Sequence, residues 1–407
     1  MKNEGKVINQ GGFGCIFYPS LPCKNEHNNR EKQDNNDYVS KLVERNFSSK
    51  NEIDIGEIIK KIPFYSLYYV PVLHHCPANL SKVGTKEIKK CNIIEKEEKH
   101  VKYILLKMKY LKNIKFTEYL LTNKSKKNIL NIIFDTYSYF LFSLEQLMNH
   151  EVVHFDFKWD NAVIDLKTEL PVILDFGISI PIRKLLQHDA GMNGNSDGSE
   201  NKGQMEQEQE DKYDVFRDYF YTYFPRYSLW PLEVHAMCYV LHEHSRITQE
   251  SLQNLIDECV DSNAAFTIFS PEFLKGYKKS CFETMEHLID KPRKYVIHEC
   301  LKFWNTWDNY ALSISYFQII RFISSSGFTS NAFLLSFSKI LLGNVHPDPS
   351  RRSNYTTTRY EYKSIFYQET GIRDFELLVD NFDFERFRSE SVKESRRSER
   401  VADSVKR

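Results

Sequence analysis

The chain of 407 residues carries 55 lysines and arginines, 55 aspartates and glutamates, and 8 cysteines. This length allows two ordinary domains, or one two-lobed domain with insertions, and a sizeable hydrophobic core. Because the opposite charges balance, nothing in the net charge indicates a nucleic-acid or membrane partner. The N-terminal residues lack the apolar stretch of a secretory signal, and the sequence contains no run of about 18 apolar residues. We therefore expect a soluble, intracellular, cytoplasmic protein without a membrane span.

The cysteines form no C-x-x-C pair and are scattered along the chain: Cys15, Cys23, Cys76, Cys91, Cys238, Cys259, Cys281 and Cys300. A chain of this size does not depend on disulfide bonds for its stability. We therefore expect a reducing compartment and mostly buried, structural thiols.

The first hundred or so residues contain short β-type runs separated by polar stretches. In chain order these runs are KVINQ, GCIFYP, DYVSKLVE, YYVPVLHH and VKYILLKMKYL. Between the third and fourth runs, SSKNEIDIGEIIKKIP carries its isoleucines on one face and is predicted to form a single helix. Residues 1 to 112 are therefore predicted to be rich in β-structure.

From about residue 113 the pattern changes to long segments with helical apolar periodicity, interrupted by the strand-like NAVIDL and PVILDFG. The predicted helical segments are 129 to 149, 232 to 243, 250 to 260, 281 to 303, 308 to 324 and 331 to 343. Residues 113 to 384 are thus predicted to form a mainly helical part. Composition predicts disorder at about 188 to 212 and in a charged tail, 385 to 407. The fold class is α+β.

The stretch NQGGFGCIF lies between the first two predicted strands. Glycines allow the backbone to approach a ligand closely, and free N–H groups there can face phosphate oxygens, although most glycine-rich hairpins are only tight turns. The following strand places Lys41 among inward-facing residues, where a lysine needs a carboxylate or anionic partner. Glu52 on the predicted helix is the candidate partner, with Glu57 as the alternative.

The stretch HFDFKWDN brings Asp156, Lys158 and Asn161 onto one loop, and Asp175 follows in DFG after a short predicted hairpin. Phosphoryl transfer requires a carboxylate to accept a hydroxyl proton, a lysine beside the transferring group, and oxygen ligands for magnesium. These four residues supply that set. Polar residues that merely cap a helix and a turn would explain any one of them, but not all four at this spacing.

Taken together, these motifs resemble the eukaryotic-type Ser/Thr protein kinases, a fold with a β-rich N-lobe and a mainly helical C-lobe. That family has H-R-D-x-K-x-x-N followed by D-F-G, with a glycine-rich loop and a strand lysine upstream. The resemblance implies that Asp156 is the catalytic base and that Lys158 lies on the phosphate side. It also implies that Asn161 and Asp175 bind Mg²⁺, and that ATP binds between the lobes.

The resemblance further implies that Lys41 binds the α- and β-phosphates of ATP and that Glu52 holds Lys41 in place. The stretch LLKMKYL resembles the fifth strand and hinge, so Met108 would be the gatekeeper and the backbone from Lys109 to Leu111 would meet adenine. The implied nucleotide-binding residues are Asn9, Gly11, Gly12, Gly14, Ile16, Lys41, Glu52, Met108, Lys109 and Leu111.

The resemblance continues downstream and covers most of residues 5 to 370. SLWPLEVH resembles the A-P-E segment with one extra residue, which makes Glu233 the structural acid. WDNYALSISYFQII resembles the start of the large lobe's central helix, with Asp308 and Tyr310 in the key positions. HPDPSRRSNYT resembles the D-P-x-x-R element, so Arg352 is expected to form a buried ion pair with Glu233.

Three features depart from the family pattern. Asn9 replaces the first glycine of the phosphate loop, which weakens that loop without abolishing it. Phe155 replaces the arginine that in many kinases receives an activation-loop phosphate, so we expect activity without activation-loop phosphorylation. The stretch from Asp175 to Asp308 is far longer than usual, because it contains the predicted disordered segment and an extra helical insertion at about 234 to 305. The sequence therefore does not reveal the substrate groove.

The insertions, rich in asparagine and lysine, make the chain most similar to the divergent kinases of large nucleocytoplasmic DNA viruses. An ATP- and Mg²⁺-dependent Ser/Thr kinase acting on a protein substrate is therefore the expected function. Two alternatives stay open, a small-molecule phosphotransferase on the same fold and a pseudokinase or scaffold whose insertions bind partners.

Overall fold

The computed structural model describes residues 5–11, 14–24, 35–80, 83–94, 102–123, 125–194, 211–323, 331–367 and 370–393. The fold is α+β, as the sequence predicts. The chain divides into two compact units. The first comprises the described residues of Met1–Phe116 together with Asp160–Ser179, and the second comprises those of Thr117–Trp159 and of Ile180–Arg397.

The strands in chain order are β1 (Lys6–Gly11), β2 (Gly14–Tyr18), β3 (Tyr38–Glu44), β4 (His74–Pro77), β5 (Tyr103–Lys109), β6 (Asn113–Lys115), β7 (Val152–Val153), β8 (Ala162–Asp165), β9 (Pro171–Ile173) and β10 (Ile180–Pro181). In the first unit, β1, β2, β3, β5 and β4 form an antiparallel five-stranded sheet in that order, and β6, β8 and β9 form a second sheet. In the second unit, β7 pairs with β10.

The helices in chain order are α1 (Phe47–Ile59), α2 (Thr85–Ile88), α3 (Phe116–Thr122), α4 (Lys126–Asn149), α5 (Ile182–Gly194), α6 (Asp214–Tyr219), α7 (Leu232–His242), α8 (Gln249–Asp261), α9 (Pro271–Met285), α10 (Arg293–Leu301), α11 (Trp307–Ile323), α12 (Ala332–Asn344), α13 (Tyr355–Tyr367), α14 (Gly371–Asn381) and α15 (384–393). Among the helices in the described ranges, none combines the length and the hydropathy needed to cross a membrane.

The predicted strand YYVPVLHH is misplaced, because the pairing with β5 begins only at His74. Pro71 lies in the middle of the predicted run, and a proline has no N–H to donate to a strand ladder. The predicted helix at 281 to 303 is likewise two helices, α9 and α10, since the chain turns before Pro292, which is the N-cap of α10.

Part of each segment predicted to be disordered is helical. Residues 188 to 194 belong to α5, where Asp189 is buried and lies 2.7 Å from His298 Nδ1. Residues 385 to 393 belong to α15, which Phe387 anchors by packing against Phe382 with ring centroids 5.4 Å apart. The first stretch is thus held by a contact between distant residues and the second by a local aromatic contact, and composition reveals neither. Residues 211 and 212 of the first prediction are also described, whereas 195 to 210 and 394 to 407 lie outside the described residues.

The expectation that all eight cysteines are thiols is wrong for four of them. Cys15 in β2 is bonded to Cys91, and Cys23 is bonded to Cys76 in β4. The partners are 76 and 53 residues apart along the chain, and the folding of the first unit brings them together. The remaining four, all in the second unit, are free: Cys238, Cys259, Cys281 and Cys300.

The core of the second unit forms around α4 and α11. The apolar face of α4 is fully buried, and Tyr137 on this face meets Tyr316 of α11 edge-on with ring centroids 4.9 Å apart. Thr136 Oγ1 and Tyr316 Oη share a hydrogen bond of 3.0 Å within this core. The residues after α4 and at the start of α11 are thereby held on a rigid frame.

Candidate active site

In the first unit, Lys41 binds two carboxylates. Its Nζ lies 3.0 and 2.9 Å from the two oxygens of Glu52 and 2.9 Å from Asp175 Oδ1. Of the two candidates from the sequence, Glu52 is therefore the one that contacts Lys41. The alternative, Glu57, is exposed and instead lies 2.6 Å from Lys60. Lys41 on β3 and Glu52 on α1 are both buried, whereas the Asp175 side chain is 41 % exposed and still offers a carboxylate edge to a ligand.

The charges of this cluster stabilise one another. Burial by itself would lower the pKa of Lys41, but the carboxylates of Asp175 and Glu52 outweigh burial and hold this pKa above its usual value. Burial raises the pKa of Glu52 against the attraction of Lys41. Lys41 is thus a permanent cation beside one buried and one accessible carboxylate, an arrangement suited to binding phosphate oxygens.

The backbone around this cluster is closely packed. A Cβ atom on Gly14 would lie 2.7 Å from Leu42 O, so only glycine lets β2 approach β3 this closely. Gly177 follows Asp175 by two residues, and Ser48 Oγ on α1 donates to its carbonyl oxygen at 3.0 Å. Asn51, also on α1, donates to Ser179 O at 2.7 Å. Hydrogen bonds from one face of α1 therefore fix the segment that carries Asp175.

The β8–β9 hairpin brings Asn161 and Asp175 to the same end of the small sheet. Ala162 pairs with Ile173, and Leu174 N donates to Asn161 O at 2.8 Å. Asp175 has a φ of 62°, a left-handed conformation that costs a non-glycine residue roughly 1–3 kcal/mol. A strained backbone of this kind is common where a side chain has to be aimed at a ligand.

A carboxylate and an amide that converge in this way are hard oxygen donors of the type Mg²⁺ prefers. Mg²⁺ usually takes one or two protein ligands and completes its shell with water and substrate phosphates. Asn161 and Asp175 fit that requirement. In the described ranges no group of three or more His, Cys, Asp or Glu side chains forms a fuller protein cage for a metal.

Most of the other predicted nucleotide-binding residues that the structure describes lie on strands of the large sheet. Asn9 and Gly11 are on β1, and the Asn9 side chain accepts a hydrogen bond of 2.9 Å from Gln10 N. Ile16 on β2 is paired with Lys41, and Met108 on β5 is buried beside Val39. The remaining predicted residues are Lys109 at the end of β5, Leu111 just beyond it, and Gly12, which lies outside the described residues.

In the second unit, Asp156 faces Lys158 and a tyrosine. Lys158 Nζ lies 2.9 and 2.8 Å from the two carboxylate oxygens of Asp156. The hydroxyl of Tyr227 donates a hydrogen bond to Asp156 Oδ1. The Asp156 side chain is 14 % exposed, so it is sheltered yet reachable. A carboxylate that binds both a cation and a hydroxyl is equipped to receive a hydroxyl proton.

The loop before Asp156 is held in a strained conformation. Phe155 has a φ of 67°, and the buried carboxylate of Asp308 accepts hydrogen bonds from His154 N at 2.6 Å and Phe155 N at 2.9 Å. Burial raises the pKa of Asp308. The Phe155 ring stacks on Trp230 at 4.6 Å, and the Trp230 indole donates to Phe155 O at 2.9 Å. Phe155 is therefore an aromatic anchor that sets the direction of the next residue.

The predicted buried ion pair of the second unit is present. Arg352 Nη2 lies 3.0 Å from Glu233 Oε2, a second contact joins Nη1 to Oε1, and both side chains are 2 % exposed. Tyr310 lies beside this pair, with its ring 5.2 Å from the Arg352 guanidinium. The pair ties the start of α7 to the turn that precedes α13.

The sequence analysis does not identify four residues that contact the two clusters or the segments that carry them: Tyr227, Trp230, Ser48 and Asn51. Each acts across a long sequence separation, as with Tyr227 and Asp156, which are 71 residues apart. An available signal was the spacing of Ser48 and Asn51 on one face of α1, close to Glu52. For Tyr227 no comparable motif exists.

Comparison with protein-family models gives no match for this chain. A search among curated proteins likewise finds no relative. The assignment of a function therefore depends on the chemistry of the two clusters.

Proposed function

We propose that the chain is a protein kinase of the two-lobed, kinase-like fold that transfers the γ-phosphate of ATP to serine and threonine hydroxyls of proteins. The observation that carries the proposal is the pair of charge clusters, each with the residue types that phosphoryl transfer requires. Lys41 is held between Glu52 and Asp175, and Asp156 is held beside Lys158.

The contacts within the two clusters support the following roles in this proposal. The Lys41 cation binds the α- and β-phosphate oxygens of ATP, and Glu52 keeps it in place. Asp156 accepts the proton of the attacking hydroxyl, while Lys158 neutralises charge that builds up near the transferring phosphoryl group. Bound Mg²⁺, held by Asn161 and Asp175, would offset the negative charge of the phosphates.

The small-molecule alternative uses a similar catalytic carboxylate, so the acceptor has to be tested directly. The chain of 407 residues is incubated with labelled ATP and Mg²⁺, and label is followed in a general protein substrate, in the chain itself, in aminoglycosides and in choline. We expect label in protein serine and threonine. Transfer only to the small molecules would contradict the proposal.

The scaffold alternative requires a lost catalytic group. Among the predicted catalytic and metal positions, Asp156, Lys158, Asn161 and Asp175 all retain the expected residue type. Nucleotide binding measured by calorimetry, with no transfer to any acceptor, would favour the scaffold over the enzyme.

A further inference from the structure

The two disulfide bonds of the first unit differ in their access to solvent. In the core disulfide, Cys15 and Cys91 are 0 % and 3 % exposed and belong to a cluster of buried apolar side chains. In the edge disulfide, Cys23 and Cys76 are only half-buried. The rate of thiol–disulfide exchange depends on whether a thiolate can reach a sulfur atom of the bond. A reductant therefore meets one accessible and one enclosed bond in the same unit.

The edge disulfide lies at the outer edge of the five-stranded sheet. β4 is the last strand in the order β1-β2-β3-β5-β4, and its partner in this sheet is β5. Just beyond β4, Cys23 forms an isolated bridge with Ala78, and Lys24 N donates to Pro77 O at 3.1 Å. The edge disulfide therefore ties the connection after β2 to the side of β4 that faces away from β5.

The chain next to the edge disulfide is also held by contacts that do not involve sulfur. Leu21 is 3 % exposed within the buried apolar cluster, and its N–H donates to Ser40 Oγ on β3 at 2.9 Å. Cleavage of the edge disulfide leaves these contacts and the strand pairings in place. Cleavage of the core disulfide, in contrast, requires the buried cluster to open first. Only the edge disulfide can thus be cleaved while the unit stays folded.

We propose that the edge disulfide is a redox modification site of the folded protein, where small thiols and the dithiol of a reductase attack the Cys23 sulfur. An attacking thiolate approaches a disulfide from the side opposite the sulfur that leaves. Cys76 packs against the buried apolar cluster, which covers that approach to its own sulfur. The corresponding approach to Cys23 comes from beyond the edge of the sheet. The inference does not depend on phosphate transfer.

The charge beside Cys76 favours the same direction of attack. Side chains alternate along a strand, so His74 and Cys76 lie on one face of β4. Lys107 of β5 is paired with His74, which places the lysine cation on that face as well. A cation near a cysteine stabilises its thiolate, and a more stable thiolate leaves faster from a disulfide. Cys76 is therefore the leaving group.

The exchange balances in atoms and electrons. The thiolate sulfur of the reductant bonds to the Cys23 sulfur, and the bond between Cys23 and Cys76 breaks. Its electron pair leaves with Cys76, which takes up the proton that the attacking thiol released. With a monothiol the product is a mixed disulfide on Cys23. With a dithiol, the second thiol displaces Cys23, so that the reductant is oxidised to its disulfide and both cysteines become thiols.

The first experiment treats the folded chain of 407 residues with reduced glutathione at neutral pH. Exchange is stopped with N-ethylmaleimide, and the modified peptides are identified by mass spectrometry. We expect a glutathionyl group on Cys23, N-ethylmaleimide on Cys76, and an intact bond between Cys15 and Cys91. Glutathione on Cys76, or modification of all four cysteines to the same extent, would overturn the inference.

The second experiment compares the rates at which dithiothreitol reduces the two bonds, first in the folded chain and then in guanidinium. We expect the edge disulfide to be reduced about tenfold faster or more in the folded chain, because only its sulfur atoms are accessible, and the two rates to converge in guanidinium. Equal rates in the folded chain, or an edge disulfide that resists until the chain unfolds, would overturn the inference.

Hydrogen exchange provides a readout of the local opening. After selective reduction, the Lys24 N–H that donates to Pro77 O should exchange faster, whereas the Leu21 N–H that donates to Ser40 Oγ should keep its protection. The double variant Cys23→Ser and Cys76→Ser is the matched control, and it should show the faster Lys24 exchange without reductant and no response to it. Loss of protection at Leu21 upon reduction would contradict a local opening. Failure of any of these tests leaves the proposed phosphate transfer untouched.

Discussion

The two compact units hold their charge clusters by different means. In the first unit, two disulfide bonds cross-link the described chain, and the Lys41 cation is bound directly by Glu52 and Asp175. In the second unit the cysteines are free thiols, and Asp156 is aimed by a buried acid and a stack of aromatic rings.

The two clusters therefore differ in how their charged side chains are positioned. The first cluster consists of opposite charges in contact, and covalent cross-links stabilise the sheet around it. The second cluster contains a carboxylate whose partner Tyr227 comes from a connecting segment. We therefore expect substitutions in the cluster of the first unit to weaken nucleotide binding. Substitutions in the second unit are expected to reduce the rate of phosphate transfer or the stability of the fold.

The largest expected effect is that of Asp156→Asn. An amide cannot accept the hydroxyl proton, and a general base contributes roughly 10²–10⁴-fold to a rate. We expect phosphate transfer to fall by about 10³-fold with little change in ATP affinity. Asp160→Asn is the matched control, since the Asp160 side chain is 63 % exposed and lies 3.7 Å from Lys115. Equal losses in the two variants would mean that Asp156 has no special role.

The second prediction concerns Lys41→Met. Loss of a charge that stabilises the phosphates reduces a rate by about 10²–10³-fold. Unlike Asp156→Asn, this variant should weaken ATP binding, which calorimetry measures. Lys50→Met changes an exposed lysine on the same helix as Glu52 and is expected to leave binding unaltered. Unchanged affinity in Lys41→Met would remove Lys41 from the nucleotide site.

The third prediction is a loss of stability in Glu233→Gln. The variant leaves the buried Arg352 guanidinium without its counter-charge, at a cost of about 3 kcal/mol in the free energy of unfolding. Glu258→Gln breaks the exposed pair with Arg226 and should cost less than about 1 kcal/mol. Urea denaturation measures both, and similar losses would contradict the assignment of the buried pair.

The fourth prediction applies to the cross-links of the first unit. The two disulfide bonds close long stretches of chain. Reduction of each disulfide should lower the free energy of unfolding by about 2 kcal/mol. Thermal unfolding is followed with and without reductant. A variant with Cys15, Cys23, Cys76 and Cys91 all changed to serine is the control and should not respond. A wild type equally insensitive to reductant would show that these bonds are absent in solution.

The smallest expected effect is a pH dependence from His235 in the second unit. Burial lowers the pKa of His235 to about 4, whereas the unfolded chain has a value near 6.5. Its neutral form therefore stabilises the fold fully above pH 6.5, and that contribution is lost as the pH falls toward 4. Between pH 7 and pH 5.5 we expect a loss of about 1 kcal/mol in the wild type. A drop of the same size in His235→Asn would assign the effect to other groups.

The sequence predicted the fold class, most strands and helices, and two ion pairs. It could do so because Lys41 and Glu52 lie on a predicted strand and on the predicted helix that follows it, and because the resemblance of two segments to family motifs implies the pairing of Glu233 with Arg352. It failed for contacts between distant residues that no such motif marks. The pairing of Cys15 with Cys91 follows from the folding of the first unit, and the helix at 188 to 194 is held by the contact of Asp189 with His298.

Tyr227 shows the same limit in the candidate site. Asp156 and Lys158 are two residues apart and could be assigned from one loop, whereas Tyr227 reaches Asp156 only because Trp230 anchors its segment to Phe155. Periodicity and composition carry no information about such a contact.

The most direct test of the account is phosphoamino-acid analysis of a general protein substrate after incubation with labelled ATP, Mg²⁺ and the full chain. Wild type and Asp156→Asn are compared at equal concentrations of folded protein. We expect labelled phosphoserine and phosphothreonine with the wild type and almost none with the variant. Label at the same level with both proteins, or with neither while ATP still binds, would contradict it.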